Sequence, residues 1–177
     1  MPLLFANEGQ VNAVVPYGLA LNTRQQIVVR RGNSYSVPEL ITVAAAQPAV
    51  FTKEQTGKGQ GLIFVASPGG LRLADAASPA RAEDAIVIYC SGLGAVSPPV
   101  AAGAAALSSP LSTTVNPVSV TIGGREAQVF FAGLAPGFAG LYQVNAIVPP
   151  GINPGNEAPV SLTVAGQTSP PVAMAVR

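Results

Sequence analysis

The chain contains no histidine, no tryptophan and a single cysteine, Cys90, and only 10% of its residues are charged, where an ordinary soluble domain has roughly 25%. Each shortage removes a class of chemistry. Without imidazole there is no Ser-His-Asp or Cys-His nucleophile, because the group that accepts a proton near neutral pH is absent. His-ligated zinc is excluded, and one cysteine cannot make a thiolate metal site. A lone cysteine also forms no intramolecular disulfide. The chain suits either a reducing compartment or a secreted fold stable without bridges, and cysteine usage leaves both open.

Basic residues are scarce as well. There are 9 Lys+Arg against 8 Asp+Glu, a net charge of +1, and the only basic doublet is Arg30-Arg31. That balance argues against nucleic acid, which is held mainly through Lys and Arg on phosphate. Long apolar runs are missing too: the lightly polar stretch Val129 to Tyr142 is interrupted by Gly133, Pro136, Gly137 and Gly140, so no membrane span is expected. Met1 to Phe5 lacks the basic start and longer apolar core of a signal peptide. The expectation is that no such peptide exists or that the chain begins inside a longer protein. No cofactor or metal is expected.

What is present is apolar residue in short, punctuated runs. Hydrophobic residues make up 49% of the 177, with 19 Gly and 17 Pro. That length fits one large domain or two of immunoglobulin size. An internal repeat organises it. Gln10 to Gly18 reads QVNAVVPYG and Gln143 to Gly151 reads QVNAIVPPG, at an offset of 133. Phe5-Ala6 is taken to match Phe138-Ala139 upstream, and Ser36, Pro38 and Val43 match Ser169, Pro171 and Val176 downstream. Between them Gly32 matches Gly166 only with a one-residue shift.

The repeated unit reads as β. Gln143 to Val148 opens on a polar–apolar alternation, the period of a half-buried strand. Pro149-Pro150-Gly151 ends it. Pro159 to Val164 alternates again, Gly166 turns the chain, and Val172 to Val176 closes the unit. Ile27-Val28-Val29 and Leu40 to Val43 play these parts in the first copy. Upstream of the second copy, Ala85 to Cys90 is a compact apolar strand, and Val118 to Ile122, Gly123-Gly124 and Ala127 to Phe131 spell a hairpin. Val96 to Thr113, rich in Pro, Ala and Ser, reads as a surface loop in which Ala104 to Ala106 has room for one helical turn.

These segments predict an all-β protein: a tandem Ig-like β-sandwich whose first unit is incomplete. Residues 80–177 form the complete sandwich, and residues 1–51 a partial unit corresponding to the second half of the repeat. Residues 52–79 are a connector in which Gly61 to Val65 and Leu71 to Leu73 have room to pair as a hairpin. The counterpart of Val118 to Gly133 is expected to lie before Met1. Unpaired strand edges tend to recruit another chain. Residues 1–50 are therefore expected to pair with 61–75, to pack on the second sandwich, or to make a homodimer.

The segments AIVIYCSGLG (85–94), VTIGGREAQV (120–129) and AGLAPGFAGLYQVNAIVPPG (132–151) carry a resemblance. With the closing Val-rich strands, the chain resembles the uncharacterised C-terminal domain family of Solibacter-type acidobacterial secreted proteins. It is more distantly similar to IPT/TIG domains, Ig-like folds of receptors, surface proteins and some carbohydrate-active enzymes. The resemblance implies an extracellular or cell-surface location, neighbouring domains of a longer chain or other surface proteins as partners, and no catalytic residues. Family members usually have more sequence before the segment matching Leu3 to Phe5.

Several residues invite a functional reading, each with a plainer one beside it. Cys90 has no histidine to activate it and ends an apolar strand, so a buried structural thiol is expected. Asp75, Glu83 and Asp84 are the densest acids but fall short of a Ca²⁺ loop, with Arg72 and Arg81 among them. Arg125-Glu126 beside the hairpin turn reads as solvated charge. Ser91-Gly92-Leu93-Gly94 lacks the following helix a phosphate cradle needs and reads as a turn. Asn12 and Asn145, with Gln10 and Gln143, are either ligand-facing amides or groups that satisfy backbone near their strand ends. Tyr17 and Tyr142 are candidates for a ligand-facing ring surface, against core or rim packing. The leading reading is a non-enzymatic structural or interaction module. The alternative is a carbohydrate-binding module, which requires clustered exposed Tyr and Phe rings. A carboxylate pair including Glu83 or Asp84 is the remaining enzymatic arrangement.

Overall fold

The alternation read in Gln143 to Val148 becomes an alternation of half-buried and buried side chains in the computed structural model, which describes residues 1–177. Every element is a strand and every strand pairing is antiparallel. The N-terminal segment holds six short strands: β1 (Leu3–Ala6), β2 (Val11–Ala13), β3 (Arg24–Ile27), β4 (Arg30–Arg31), β5 (Ser34–Tyr35) and β6 (Glu39–Thr42). They make three separate two-stranded pairs, β1 with β2, β3 with β6 and β4 with β5.

The rest of the chain is a β-sandwich. Its strands are β7 (Ala49–Val50), β8 (Ile63–Ser67), β9 (Gly70–Leu73), β10 (Ala85–Ser91), β11 (Val96–Ser97), β12 (Thr113–Thr114), β13 (Val118–Ile122), β14 (Arg125–Leu134), β15 (Tyr142–Ile147), β16 (Gly155–Val164), β17 (Gln167–Thr168) and β18 (Val172–Val176). One layer runs β9-β8-β10-β15-β14, and the other has β16 between β13 and the pair β17 and β18. Strand β14 belongs to both. Its first residues pair with β13, and from Gln128 onward it pairs with β15. The register shifts between Val129 and Phe131, a bulge of the kind that lets one strand bend from sheet to sheet. Ile63, Ile86, Ile88 and Val144 of one layer meet Ile122, Val160, Leu162 and Met174 of the other in a fully buried core. Each such side chain is worth roughly 1.5–3 kcal/mol of burial.

The segment expected to be a connector is part of this sandwich. β8 pairs with β10 (Ile86↔Val65, Ile88↔Ile63), and Val50, Ile63, Val65 and Ala74 enter its core. Gly61 donates its N–H to the Ala173 carbonyl at 2.8 Å, and Ala175 donates to that of Ala74 at 2.9 Å. The 61–75 hairpin therefore extends the second unit and leaves the first without it. The loop from Val96 to Thr113 is closed at its ends by β11 against β12. Ala101 to Ala104 makes a single turn and no helix forms there.

The first unit copies the second pair by pair. Gln25↔Ile41, Gln26↔Leu40 and Ile27↔Glu39 repeat Ala158↔Met174, Pro159↔Ala173 and Val160↔Val172 at the 133-residue offset. Arg30↔Tyr35 and Arg31↔Ser34 repeat Thr163↔Thr168 and Val164↔Gln167. The offset does not slip at the turn. Gly32 lies opposite Ala165, not Gly166, because a two-residue turn with positive φ at both positions (Ala165 50°, Gly166 75°) is replaced by one with positive φ at the first alone (Gly32 60°).

The upstream match also changes. β1 pairs Leu3↔Ala13, Phe5↔Asn12 and Ala6↔Val11, with a shift between Leu3 and Phe5. β14 pairs Val129↔Ala146, Phe131↔Asn145 and Ala132↔Val144, with the same shift. Phe5-Ala6 is thus the counterpart of Phe131-Ala132, not of Phe138-Ala139, and the bulge is preserved. Two residues, Asn7 and Glu8, stand where the second unit has Gly133 to Leu141. The first unit therefore does contain the counterpart of the end of β14. No strand of the chain takes the places of β13 or β10 on it.

Candidate interaction surface

In the second unit β16 is paired on both sides, by β18 and β17 on one edge and by β13 on the other. In the first unit β3 and β4 are paired on one edge only. The same asymmetry holds for β15, which has β10 and β14 beside it, and its counterpart β2, which has β1 alone. The exposed faces follow. Val11, Val15 and Val29 are 45%, 48% and 48% exposed, while their counterparts Val144, Val148 and Leu162 are fully buried. Leu3, Leu4, Phe5, Val28, Val37 and Leu40 are exposed as well. This is an open half-sandwich whose apolar faces are exposed.

One end of the half-sandwich is fixed to the complete one. Tyr17 donates its hydroxyl proton to the Tyr142 oxygen at 2.8 Å, and Tyr142 donates its own to the Gly94 carbonyl. Tyr142 is only 5% exposed, so it is a buried strut and not a surface ring. Burial first, and then the hydrogen bond to Tyr17, push its hydroxyl well above the usual phenol range. Ser91-Gly92-Leu93-Gly94 clasps the incoming chain. A Cβ at Gly92 or Gly94 would collide with the backbone carbonyl of Gln47 or Ala45, and Gln47 donates its N–H to the Gly92 carbonyl at 2.8 Å.

The remaining candidates separate into used and unused groups. Two of the three acids are engaged in turns: Asp75 Oδ1 accepts the N–H groups of Ala77 and Ser78, each at 3.1 Å, and Asp84 Oδ2 accepts that of Arg81 at 2.9 Å, while Glu83 is exposed. Asp84 also pairs with Arg72 at 3.4 Å. Cys90 is completely buried and burial pushes its thiol far up. No cluster of three His, Cys, Asp or Glu is placed to hold a metal ion. Arg125 Nε donates to the Gly151 carbonyl at 2.8 Å, so it ties the hairpin to the end of the repeated motif.

The two asparagines differ. Asn12 Oδ1 accepts from Gln10 Nε2 at 2.7 Å on the surface. Asn145 Oδ1 is buried and has no hydrogen-bond partner, so neither amide satisfies backbone in the way the plainer reading required. Asn145 lies between Val87 and Phe131, with Phe64 beyond Val87 in the same cross-strand row. Phe64 packs edge-on against Tyr89 with ring centroids 5.7 Å apart. The structure thus brings Tyr17 to Tyr142 at the junction and leaves Asn12 and Asn145 on separate sheets. The features that sequence reading missed are Arg31 and Glu39, which stand at the positions of the buried Val164 and Val172. The signal was a charged residue where the repeat has valine.

Comparison with models of known families, with curated proteins and with solved structures finds no match to this chain.

Proposed function

We propose that the chain is a non-catalytic structural or interaction module whose working surface is the open half-sandwich of residues 3–43. One observation carries this reading. The first unit reproduces the strand registers of the second yet leaves its counterpart faces and edges unpaired. A strand edge with free N–H and C=O groups is a template for another polypeptide. Of the polar groups that catalysis would recruit, Asp75 and Asp84 are engaged in turns and the thiol lies in the core. The resemblance to secreted acidobacterial C-terminal domains and to IPT/TIG folds supports a secreted or surface setting, with neighbouring domains or other surface proteins as partners.

The competing reading, a carbohydrate-binding module, draws on the outer row Phe64, Val87, Asn145 and Phe131 beside Tyr89. It places aromatic rings beside a half-buried amide, the two kinds of group a sugar site uses, although the unpartnered Asn145 oxygen is itself buried.

The test screens the intact chain on a glycan array, against chromogenic ester and glycoside substrates, and with a hydrophobic fluorescent dye. The expected result is no glycan retained, no turnover, and dye fluorescence that falls when Val11, Val29 and Leu40 are changed together to Ser. A glycan held by the intact chain and lost on Asn145→Ala would overturn the module reading in favour of sugar binding. Turnover removed by Glu83→Gln or Asp84→Asn would overturn it in favour of an enzyme.

A further inference from the structure

The internal repeat specifies what belongs on the open edge. In the second unit β13 covers β16 with the pairs Val118↔Val164, Val120↔Leu162 and Ile122↔Val160. Carried across at the 133-residue offset, the edge to be covered runs Ile27, Val28, Val29, Arg30, Arg31. Its backbone is oriented for pairing. Val29 directs both its N–H and its C=O at Ser36, with bonds of 3.0 and 2.9 Å. Successive residues of a strand direct these groups to opposite edges, so those of Val28 and Arg30 face the uncovered side.

The side chains specify the rest. Ile27 and Val29 occupy the positions of Val160 and Leu162, whose partners across the pair, Ile122 and Val120, are fully buried. An incoming strand therefore needs apolar residues opposite Ile27 and Val29. Arg31 occupies the position of Val164, which faces Val118. Arg31 has no acidic partner, since the molecule's one ion pair is Arg72–Asp84. Arg30 is held on the other face, over the Tyr35 ring at 5.7 Å.

We infer that the β3–β4 edge binds an extended polypeptide segment in antiparallel register, with the pattern acidic–x–apolar–x–apolar set opposite Arg31, Val29 and Ile27. The segment completes the half-sandwich as β13 completes the second unit. The inference rests on the module reading and names its partner's chemistry. A valine opposite Arg31, as in the chain's own β13, gives shape without charge. A glutamate there supplies both, and places the ion pair at the end of an apolar row where it is partly shielded.

The experiment uses the intact chain and two synthetic peptides with the sequence of residues 117–129, one unmodified and one carrying Val118→Glu. Amide hydrogen exchange is followed at each residue. The Val118→Glu peptide is expected to slow exchange at Val28 and Arg30 by about tenfold or more, as edge amides become bonded. Exchange across 155–164 is expected to stay unchanged. This peptide is expected to bind about threefold or more tighter than the unmodified one, with the gap closing in high salt. A Val28→Pro chain removes an edge N–H without touching the Val29–Ser36 bonds, and is expected to lose the slowing.

No slowing with either peptide overturns the inference, as does equal slowing in the Val28→Pro chain. Slowing that appears with chain concentration alone overturns it in favour of a second copy. If peptide pairing fails while the glycan and substrate screens stay negative, the strand partner falls and the module reading stands. A positive screen removes the reading itself.

Discussion

Ser36 accepts the Val29 N–H on its hydroxyl at 3.0 Å, and Ser169 accepts the Leu162 N–H at the same distance. Each serine then donates to the carbonyl of the next residue, Val37 and Pro170. The bond is identical and its surroundings are not, because Ser169 is buried and Ser36 is exposed. That contrast separates the cost of a buried orphan from the worth of the bond. Ser169→Ala is expected to destabilise the chain by about 1–3 kcal/mol, since no water reaches the Leu162 N–H. Ser36→Ala is expected to stay within about 0.5 kcal/mol, since water replaces the hydroxyl. Chemical denaturation of the two variants checks this, and equal losses would show that the first unit is as dry as the second.

Gly92 and Gly124 both take positive φ, 74° and 81°. They differ in what surrounds them. A Cβ at Gly124 meets nothing within 4 Å, while one at Gly92 strikes the Gln47 carbonyl. Gly124→Ala is expected to cost about 1–2 kcal/mol, the strain of a left-handed alanine. Gly92→Ala is expected to cost more and to expel the 45–47 segment from its clasp. Limited proteolysis reads the difference directly: cleavage between residues 43 and 50 should rise in Gly92→Ala and stay at the parent level in Gly124→Ala.

Much of the architecture was legible because it is local or repeated. The run Ala85 to Cys90, the hairpin around Gly123-Gly124 and the period of Gln143 to Val148 each declare a strand within a few residues, and all three are strands. The match of Phe5-Ala6 to Phe138-Ala139 fails because the shorter turn, Asn7-Glu8 in place of nine residues, moves the true counterpart by seven positions. LLFA and VFFA share two letters, too few to outweigh an identical dipeptide at the constant offset. The hairpin of β8 and β9 was visible, but its allegiance to β10 was not, since pairing across sequence leaves no periodic trace. The open edge was legible in outline. Its charge was carried by Arg31, which declares itself only once the register shows that its counterpart is a buried valine.

Stability should fall in alkali through two buried groups. Cys90 and Tyr142 have ordinary values of 9.0 and 10.0, and burial raises both in the folded chain. A raised acid keeps its proton in the folded state while the unfolded chain releases it. Their contribution is therefore complete below pH 9 and is lost as pH rises above it. Each group is expected to contribute a slope approaching about 1.4 kcal/mol per pH unit once the unfolded form is ionised. Denaturation midpoints between pH 8 and 11 should show the decline, beginning near 9 and steepening near 10. Cys90→Ala should remove the part that begins near 9. A slope unchanged by that substitution would mean that the thiol ionises as readily folded as unfolded. In the parent chain a disulfide-exchange reagent should label Cys90 only at the rate of unfolding.

Asn145 offers a test that divides stability from binding. Its buried Oδ1 has no partner, and an acceptor in that state costs about 1–3 kcal/mol relative to hydration. Val87 and Phe131 flank it across the sheet, a setting in which a β-branched side chain packs well. Asn145→Val is therefore expected to raise stability by about 1 kcal/mol. Asn12→Val, at the exposed counterpart bonded to Gln10, is expected to change it by less than about 0.5 kcal/mol. The unpartnered amide is then a net cost to the fold, which a packed side chain at the same position removes. A loss of more than about 1 kcal/mol in Asn145→Val would mean instead that the amide is satisfied in solution and serves the fold.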